Sequence, residues 1–340
     1  MMFDPHRLFD RSKKQEIWKG IVRRAQEDGD YSLDSLSDET SVKKIRISWW
    51  AAAASVLLLM GLSYVFWPRS GANYIAEREF GAIFSDPDSF SKLILSNGDT
   101  IALEDSEELS TIAHLQNAAN VLDFRQMVDE GLGGMQQMVE TGRGKQTHFI
   151  LSDGTAVWLN AASTISFPAS FGSDERRVVI HGEVYFEVRR DEQRPFIVET
   201  DETQIKVLGT SFNVKHYDGD IHKSITLLEG AVAIQTEDNN FLLKPGQQYL
   251  RVKNVTPEVV RLSDPSTTIA WKNDVFYFEE ADAREIVKEL ERWYPVKIQL
   301  QDYDKGKKIT GRIRRSDSLQ QVAEMLRFFD IEIRVEKNSL

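Results

Sequence analysis

Cysteine is absent from this chain of 340 residues. Without a thiol, the protein has no disulfide, no thiolate-bound metal and no cysteine nucleophile. The absence argues against a small disulfide-stapled extracellular scaffold, while cytoplasm and periplasm both remain compatible compartments. An excess of positive charge is missing too, because 42 Lys and Arg residues face 53 Asp and Glu residues, for a formal net charge of −11. This balance argues against direct binding to nucleic acid.

Recognisable catalytic and metal-binding patterns are also missing. The six histidines are scattered, with no His-x-x-x-His or Glu-x-x-His pair, so we predict no metal site and no cofactor. Residues 142–147 resemble a phosphate-binding loop, but Val139 and Gln146 stand where that loop needs glycine and a hydroxyl residue. A hydrolase would need a paired nucleophile and base, which we do not find. The chain is therefore predicted not to be an enzyme.

One long apolar run is present, at residues 49–67, and it contains no charged residue. At about 1.5 Å per residue, a helix of this length approaches the ~30 Å hydrocarbon core of a bilayer. Tryptophans stand at both ends of the run, as is typical of membrane interfaces. We predict a single transmembrane helix in the inner membrane.

The flanking residues predict the orientation of this helix. Lys43, Lys44 and Arg46 precede the run closely, which favours an N-terminus in the cytoplasm and a C-terminus in the periplasm. Two other interpretations fit less well. A signal peptide would begin nearer the N-terminus, and a buried soluble helix is rarely apolar on every face.

The cytoplasmic segment, residues 1–48, is predicted to form a short amphipathic helix. Its apolar face consists of Ile17, Trp18, Ile21, Val22 and Ala25. Because 48 residues are too few for a comfortable core, this face needs a partner, either a protein or the inner membrane surface. The alternative is a weakly ordered, solvated helix.

An internal repeat follows the membrane span, within a juxtamembrane region that we place at residues 68–146. Residues 93–104 align without gaps on residues 149–160, and each copy predicts two strands joined by a tight Asn-Gly or Asp-Gly turn. Repetition of a β unit favours a solenoid-like or layered β structure. Residues 105–146 are predicted to be an extended connector.

Two further domains are predicted. Residues 147–262 consist of short apolar runs separated by turns and are predicted to be mainly β. Residues 272–340 change period and predict two βαβ units in a small α+β domain, with both helices on one face of a sheet. Capping boxes at Asp282/Glu285 and Ser318/Gln321 mark the starts of the two helices.

A series of collinear motifs resembles the FecR family of membrane-anchored anti-sigma factors. These motifs are Leu151-Ser152-Asp153-Gly154-Thr155 through Asn160, Gly182-Glu183-Val184-Tyr185-Phe186, Arg194-Pro195-Phe196, Gly209-Thr210-Ser211-Phe212 and Leu228-Glu229-Gly230. The C-terminal residues resemble the family's second domain, at Trp271-Lys272-Asn273, Leu290-Glu291-Arg292-Trp293-Tyr294 and Ile309-Thr310-Gly311-Arg312-Ile313. That domain is similar to the short N-terminal domain of secretins and TonB-dependent transporters.

The resemblance implies a set of partners. The cytoplasmic segment would hold an extracytoplasmic-function sigma factor, and Ile17, Trp18, Ile21, Val22 and Ala25 would form the contact. The periplasmic domains would sense an outer-membrane TonB-dependent transporter through its signalling domain. Site-specific proteases would then release the sigma factor. At the cytoplasmic end, only residues 16–18 resemble family members.

The resemblance also implies self-cleavage, because some family members cut a Gly-Thr bond that Gly209-Thr210 matches. The Thr210 hydroxyl would attack the Gly209 carbonyl, and water would open the resulting ester. The alternative is a glycine bulge in a strand.

A function of another class is a membrane-anchored envelope assembly or carbohydrate-binding protein. Trp158, Tyr185 and Phe186 would then form a sugar platform, although strand aromatics more often pack in a core.

Overall fold

The structure, a computed structural model, describes residues 90–103, 121–125, 135–252 and 255–335. The predicted sigma-binding helix and the predicted membrane span lie outside these ranges. Within them, no helix is long and apolar enough to cross a membrane. The described residues are mainly β with few helices, as the sequence predicts.

Sixteen strands of the described residues belong to one connected β domain. They are β1 (Lys92–Ile94), β2 (Thr100–Ala102), β3 (Leu122–Asp123), β4 (Gln136–Thr141), β5 (Thr147–Ile150), β6 (Ala156–Leu159), β7 (Ser163–Pro168), β8 (Arg176–Glu187), β9 (Phe196–Glu199), β10 (Gln204–Val207), β11 (Ser211–His216), β12 (His222–Glu229), β13 (Val232–Gln235), β14 (Asn240–Leu243), β15 (Gln247–Val252) and β16 (Glu258–Arg261).

The long strand β8 connects two layers of this domain. Its first half pairs with β7 and β9, and its second half pairs with β6 and β11. The described pairings are antiparallel except for β3 with β5 and β8 with β9. The pairing therefore favours the layered alternative, since a β-solenoid stacks its strands in parallel.

A single apolar core lies between the layers. It contains six phenylalanines, of which Phe186 is fully buried and lies 5.7 Å from Phe196 and 5.2 Å from Phe212 between ring centroids. Alternate residues of the strands supply this core, as period-2 patterning requires. Burial of this set is the main source of the domain's stability.

Both copies of the internal repeat form the predicted hairpins. β1 pairs with β2 and β5 pairs with β6, and Gly98 and Gly154 take the positive φ angles of +90° and +87° that the turns need. The amides of Gly98 and Gly154 donate to Leu95 and Leu151 at 2.9 and 2.8 Å.

The predicted connector at residues 105–146 is partly wrong. It contains β3 and β4, and β4 lies between β1 and β7 in the sheet. The inward-facing residues of β4 include Gln137 and Thr141, which are buried and polar. Because these polar residues alternate with Val139, the strand lacks the apolar alternation by which strands are recognised.

The C-terminal domain follows a 3-10 helix at Pro265–Asn273. Its elements are β17 (Val275–Ala281), α1 (Ala283–Trp293), β18 (Ile298–Asp302), β19 (Ile309–Arg314), α2 (Leu319–Arg327) and β20 (Glu332–Val335). This is the predicted order of two βαβ units. Both predicted capping boxes are present, with Asp282 and Ser318 as the N-caps.

The predicted strand arrangement of this domain is wrong. β17 pairs with β19 and β18 pairs with β20, both antiparallel, so each two-stranded sheet joins the two units. α1 contacts β17 and β18, which belong to different sheets, instead of lying with α2 on one face of a single sheet. Sequence order does not reveal pairing between units, because both arrangements bury the same apolar positions. The domain has an apolar core of its own.

Candidate functional site

The candidate site is a cleft of about 480 Å³ between the β domain and the C-terminal domain, which we call the interdomain cleft. Strands β11, β12 and β15 line one side, and β17 and α1 line the other. Its charged lining residues include Glu183, Lys215, Glu289, Arg292 and Arg315. Lys215 and Glu289 form an ion pair across the cleft, so the site is built from polar groups of both domains.

A buried hydrogen-bond relay crosses the bottom of this cleft. Glu183, on the second half of β8, accepts hydrogen bonds from Asn213 Nδ2 at 2.9 Å and Asn160 Nδ2 at 2.8 Å. Asn160 Oδ1 in turn accepts from Arg315 Nη1 of the C-terminal domain at 2.7 Å. Burial raises the pKa of the Glu183 carboxyl, although Lys215 opposes the change. Glu183 and Arg315 are therefore buried ionisable side chains connected through the amide of Asn160.

Contacts within the C-terminal domain orient the Arg315 side chain toward the β domain. Its guanidinium carbon lies 4.8 Å from the ring centroid of Phe276 and 4.6 Å from that of Trp293. The Trp293 indole donates to the Arg315 carbonyl oxygen at 2.9 Å, which fixes the backbone as well. Burial lowers the pKa of Arg315, but an arginine remains charged in proteins. The side chain is thus a preorganised donor.

Side chains of α1 form ion pairs with the β domain along one side of the cleft. Lys215 of β11 pairs with Glu289, and Arg292 pairs with Asp220 and lies 3.2 Å from Glu289. The Arg292 guanidinium carbon is 3.7 Å from the ring centroid of Tyr217. Burial works against the charge of Glu289, but Lys215 and Arg292 outweigh it and lower the pKa of this carboxyl. The pairs Lys215–Glu289 and Arg292–Asp220 join α1 to the β domain and form only while α1 stays docked, whereas Arg292–Glu289 lies within α1.

A more exposed pair lies at the N-terminal end of α1. His222 of β12 contacts Glu285, the residue that also completes the capping box of the helix. The hydrogen bond to Glu285 raises the pKa of His222, and the same bond lowers the pKa of Glu285 to about 2. The contact between His222 and Glu285 therefore supports docking of α1 more strongly when His222 is protonated.

Comparison with known protein families gives two matches. Residues 137–233 match the family model described as FecR protein, and residues 275–340 match the one described as FecR, C-terminal. We call the β domain and the C-terminal domain, which contain these matched segments, the FecR domain and the FecR C-terminal domain. The family resemblance seen in the sequence is therefore confirmed.

Solved structures are similar to more than half of this chain. Two crystal structures of a candidate anti-sigma factor from Parabacteroides distasonis ATCC 8503, at 1.65 and 2.50 Å resolution, share 28% sequence identity with this chain. The first match covers 59% of this chain and 99% of that protein with a TM-score of 0.52, and the second covers 60% and 100% with 0.53. No curated protein matches the chain.

The residues considered as a sugar platform do not form one surface in the FecR domain. Phe186 points into the core. Trp158 and Tyr185 lie under Lys272 of the 3-10 helix, whose Nζ is 3.6 and 4.6 Å from their ring centroids. His148 stacks on Trp158 at 4.1 Å. These rings bind a cation of the same chain, which explains their pattern without a sugar.

The loop that resembles a phosphate-binding loop docks on the FecR C-terminal domain. The Gly144 amide donates to the Arg292 carbonyl oxygen at 3.1 Å, and Gln146 Nε2 donates to the Trp271 carbonyl oxygen at 2.7 Å. A Cβ atom at Gly144 would lie 2.7 Å from the Trp293 carbonyl oxygen. The glycine in this loop therefore allows a close approach between the domains.

The Gly209-Thr210 bond lies between β10 and β11. A Cβ atom at Gly209 would lie 2.7 Å from the Arg190 Cα atom, so close packing accounts for this glycine. The Thr210 hydroxyl donates to the Ala231 carbonyl oxygen at 3.0 Å, and the side chain is buried. A register irregularity at Ser211 lies beside the bond. Attack on the Gly209 carbonyl would require the hydroxyl to leave Ala231.

Sequence reasoning did not single out Asn160, Glu183 or Arg315 as site residues. One signal was available, because Glu183 directly precedes the run Val184–Phe186, which is buried in β8. A carboxylate at such a position needs hydrogen-bond partners, which predicts a polar network. Its partner Arg315 is 155 positions from Asn160, so no local pattern connects the two residues.

Proposed function

We propose that this chain is a transmembrane anti-sigma factor that transmits a periplasmic signal. The observation that carries the proposal is the FecR domain followed by the FecR C-terminal domain, with a solved candidate anti-sigma factor similar over 99% of its length. The docked domains support a receptor role, because polar contacts between domains can separate without unfolding either one.

The layout of the chain suits this function. Residues 1–48 hold an extracytoplasmic-function sigma factor in the cytoplasm, and residues 49–67 span the inner membrane. Residues 68–146, 147–262 and 272–340 form the juxtamembrane region, the FecR domain and the C-terminal domain in the periplasm. An outer-membrane TonB-dependent transporter presents its signalling domain to the periplasmic domains. Site-specific proteases then free the sigma factor.

Co-purification tests this function against the carbohydrate-binding alternative. Full-length protein extracted from membranes in mild detergent is expected to retain an extracytoplasmic-function sigma factor at about one copy per chain, identified by mass spectrometry. The fragment from residue 71, the start of a compact unit, should retain none and should not bind a glycan array. Glycan binding by this fragment, together with no sigma factor on the full chain, would refute the proposal.

Self-cleavage at Gly209-Thr210 is tested with full-length protein tagged at both ends. Cleavage gives fragments of 209 and 131 residues (340 − 209 = 131) on denaturing gels. Thr210→Val should abolish the fragments, because it removes the attacking hydroxyl, while Thr210→Ser should retain them. One intact band from the native protein would show that Gly209 serves packing alone.

A further inference from the structure

The two FecR domains have separate apolar cores. The buried apolar residues of the FecR domain form one cluster, and those of the C-terminal domain form another. The described contacts between them are mainly ion pairs and hydrogen bonds, such as Lys215 with Glu289 and Arg292 with Asp220. Separation would therefore leave each core intact, and water would solvate the charges.

The relay Glu183–Asn160–Arg315 makes docking of the two domains depend on each of its three side chains. Glu183 and Arg315 are each 5% exposed while the domains are docked. A buried charge is costly unless its partners are all in place, so removing one partner disfavours the docked state strongly. In the separated state both side chains are hydrated and the penalty disappears. These properties favour two discrete states over gradual loosening.

We propose that the FecR C-terminal domain is a releasable cap on the FecR domain, held by the relay Glu183–Asn160–Arg315 and by the ion pairs of α1. Release of this cap is the structural change by which the periplasmic part signals. The signalling role rests on the proposed function, whereas release is a property of these two domains alone.

Release can be followed at one amide. The Gly144 N–H donates to the Arg292 carbonyl oxygen, so it is a backbone hydrogen bond between the domains. The Leu151 amide, bonded to Thr155, and the Ile286 amide, bonded to Asp282, report on the FecR domain and α1 respectively. Hydrogen–deuterium exchange of the full-length chain in detergent, resolved by mass spectrometry, measures all three. Exchange detects open states even when they are sparsely populated.

Arg315→Met is the test variant and Arg312→Met is its matched control. Both arginines lie over aromatic rings of the same domain, since the Arg312 guanidinium carbon is 5.3 Å from the Tyr277 ring centroid. Only Arg315 donates to the FecR domain among their described hydrogen bonds. We expect Arg315→Met to speed exchange of Gly144 on the order of a hundredfold. Arg312→Met should leave that exchange within about twofold of the parent, as exposed substitutions usually do.

The reference amides decide the result. Release of an intact cap leaves the exchange of Leu151 and Ile286 unchanged in Arg315→Met. Equal acceleration of exchange at Gly144 and Ile286 in Arg315→Met would show that the C-terminal domain itself is destabilised. Asn160→Ala, made in the FecR domain, then decides: it should speed exchange of Gly144 and leave that of Ile286 unchanged. Equal acceleration of both amides in Asn160→Ala as well would overturn the proposal. Unchanged exchange of Gly144 in both variants would also overturn it. Sigma-factor retention is measured separately, so loss of the proposed function would not mimic either result.

Discussion

Replacing Asp153 by alanine is expected to lower the free energy of unfolding of the FecR domain by about 3–5 kcal/mol. The carboxylate lies 2.8 Å from Arg176 Nη1, and their side chains are only 3% and 1% exposed. Arg176 also donates to the carbonyl oxygens of Arg194 and Arg189 at 2.9 and 2.8 Å. The substitution leaves this guanidinium buried without a counter-charge. Urea unfolding of residues 71–340, followed by tryptophan fluorescence, measures the loss.

The internal repeat provides the control. Asn97 stands at the same turn position in the first copy, but its side chain is exposed. Its described hydrogen bonds are both with Asp99: Asn97 Nδ2 donates to the Asp99 carboxylate, and Asn97 Oδ1 accepts from the Asp99 amide. Asn97→Ala should therefore cost under about 1 kcal/mol. Losses of similar size in the two variants would show that the ion pair with Arg176 contributes little.

Gly182→Ala is also expected to lower the free energy of unfolding by about 3–5 kcal/mol, because backbone strain and overpacking both destabilise the variant. Gly182 has a φ of +96° at the point where β8 passes from one layer to the other. A Cβ atom would lie 2.4 Å from Ser163 Oγ and 2.7 Å from the Ser163 Cα atom. Ser163 Oγ accepts from the Glu183 amide, so the substitution also disturbs the relay.

Gly246→Ala separates the two effects. Gly246 has a similar φ of +82°, but nothing lies within 4 Å of a Cβ atom there. This variant should lose only about 1–2 kcal/mol, from backbone strain. Urea unfolding of both variants compares their losses in free energy of unfolding. Equal losses in Gly182→Ala and Gly246→Ala would mean that the contact with Ser163 contributes little.

Local features of the fold were predictable from the sequence. Both hairpins follow from Asn-Gly and Asp-Gly turns, and both C-terminal helices follow from their capping boxes, because each signal spans only a few residues. Pairing of β17 with β19 was not predictable, since the apolar pattern of a strand does not name its partner. β4 was missed because Gln137 and Thr141 face inward.

The candidate site was less predictable than the fold. Family motifs contain Asn160 and Glu183, yet their function depends on Arg315, which tertiary packing alone brings to Asn160. The aromatic residues Trp158 and Tyr185 were considered as a sugar platform, with packing within the chain as the more common alternative. Lys272 of the same chain lies over both rings, which favours that alternative.

The apolar face of the cytoplasmic segment tests the central claim most directly. In a bacterial two-hybrid assay, residues 1–48 are screened against the extracytoplasmic-function sigma factors of the host. We predict binding to one of them, loss of the signal in Trp18→Ala, which removes an aromatic contact from the apolar face, and retention of the signal in Lys19→Ala on the opposite face. Absence of binding to every such sigma factor, or equal binding by both variants, would contradict the account.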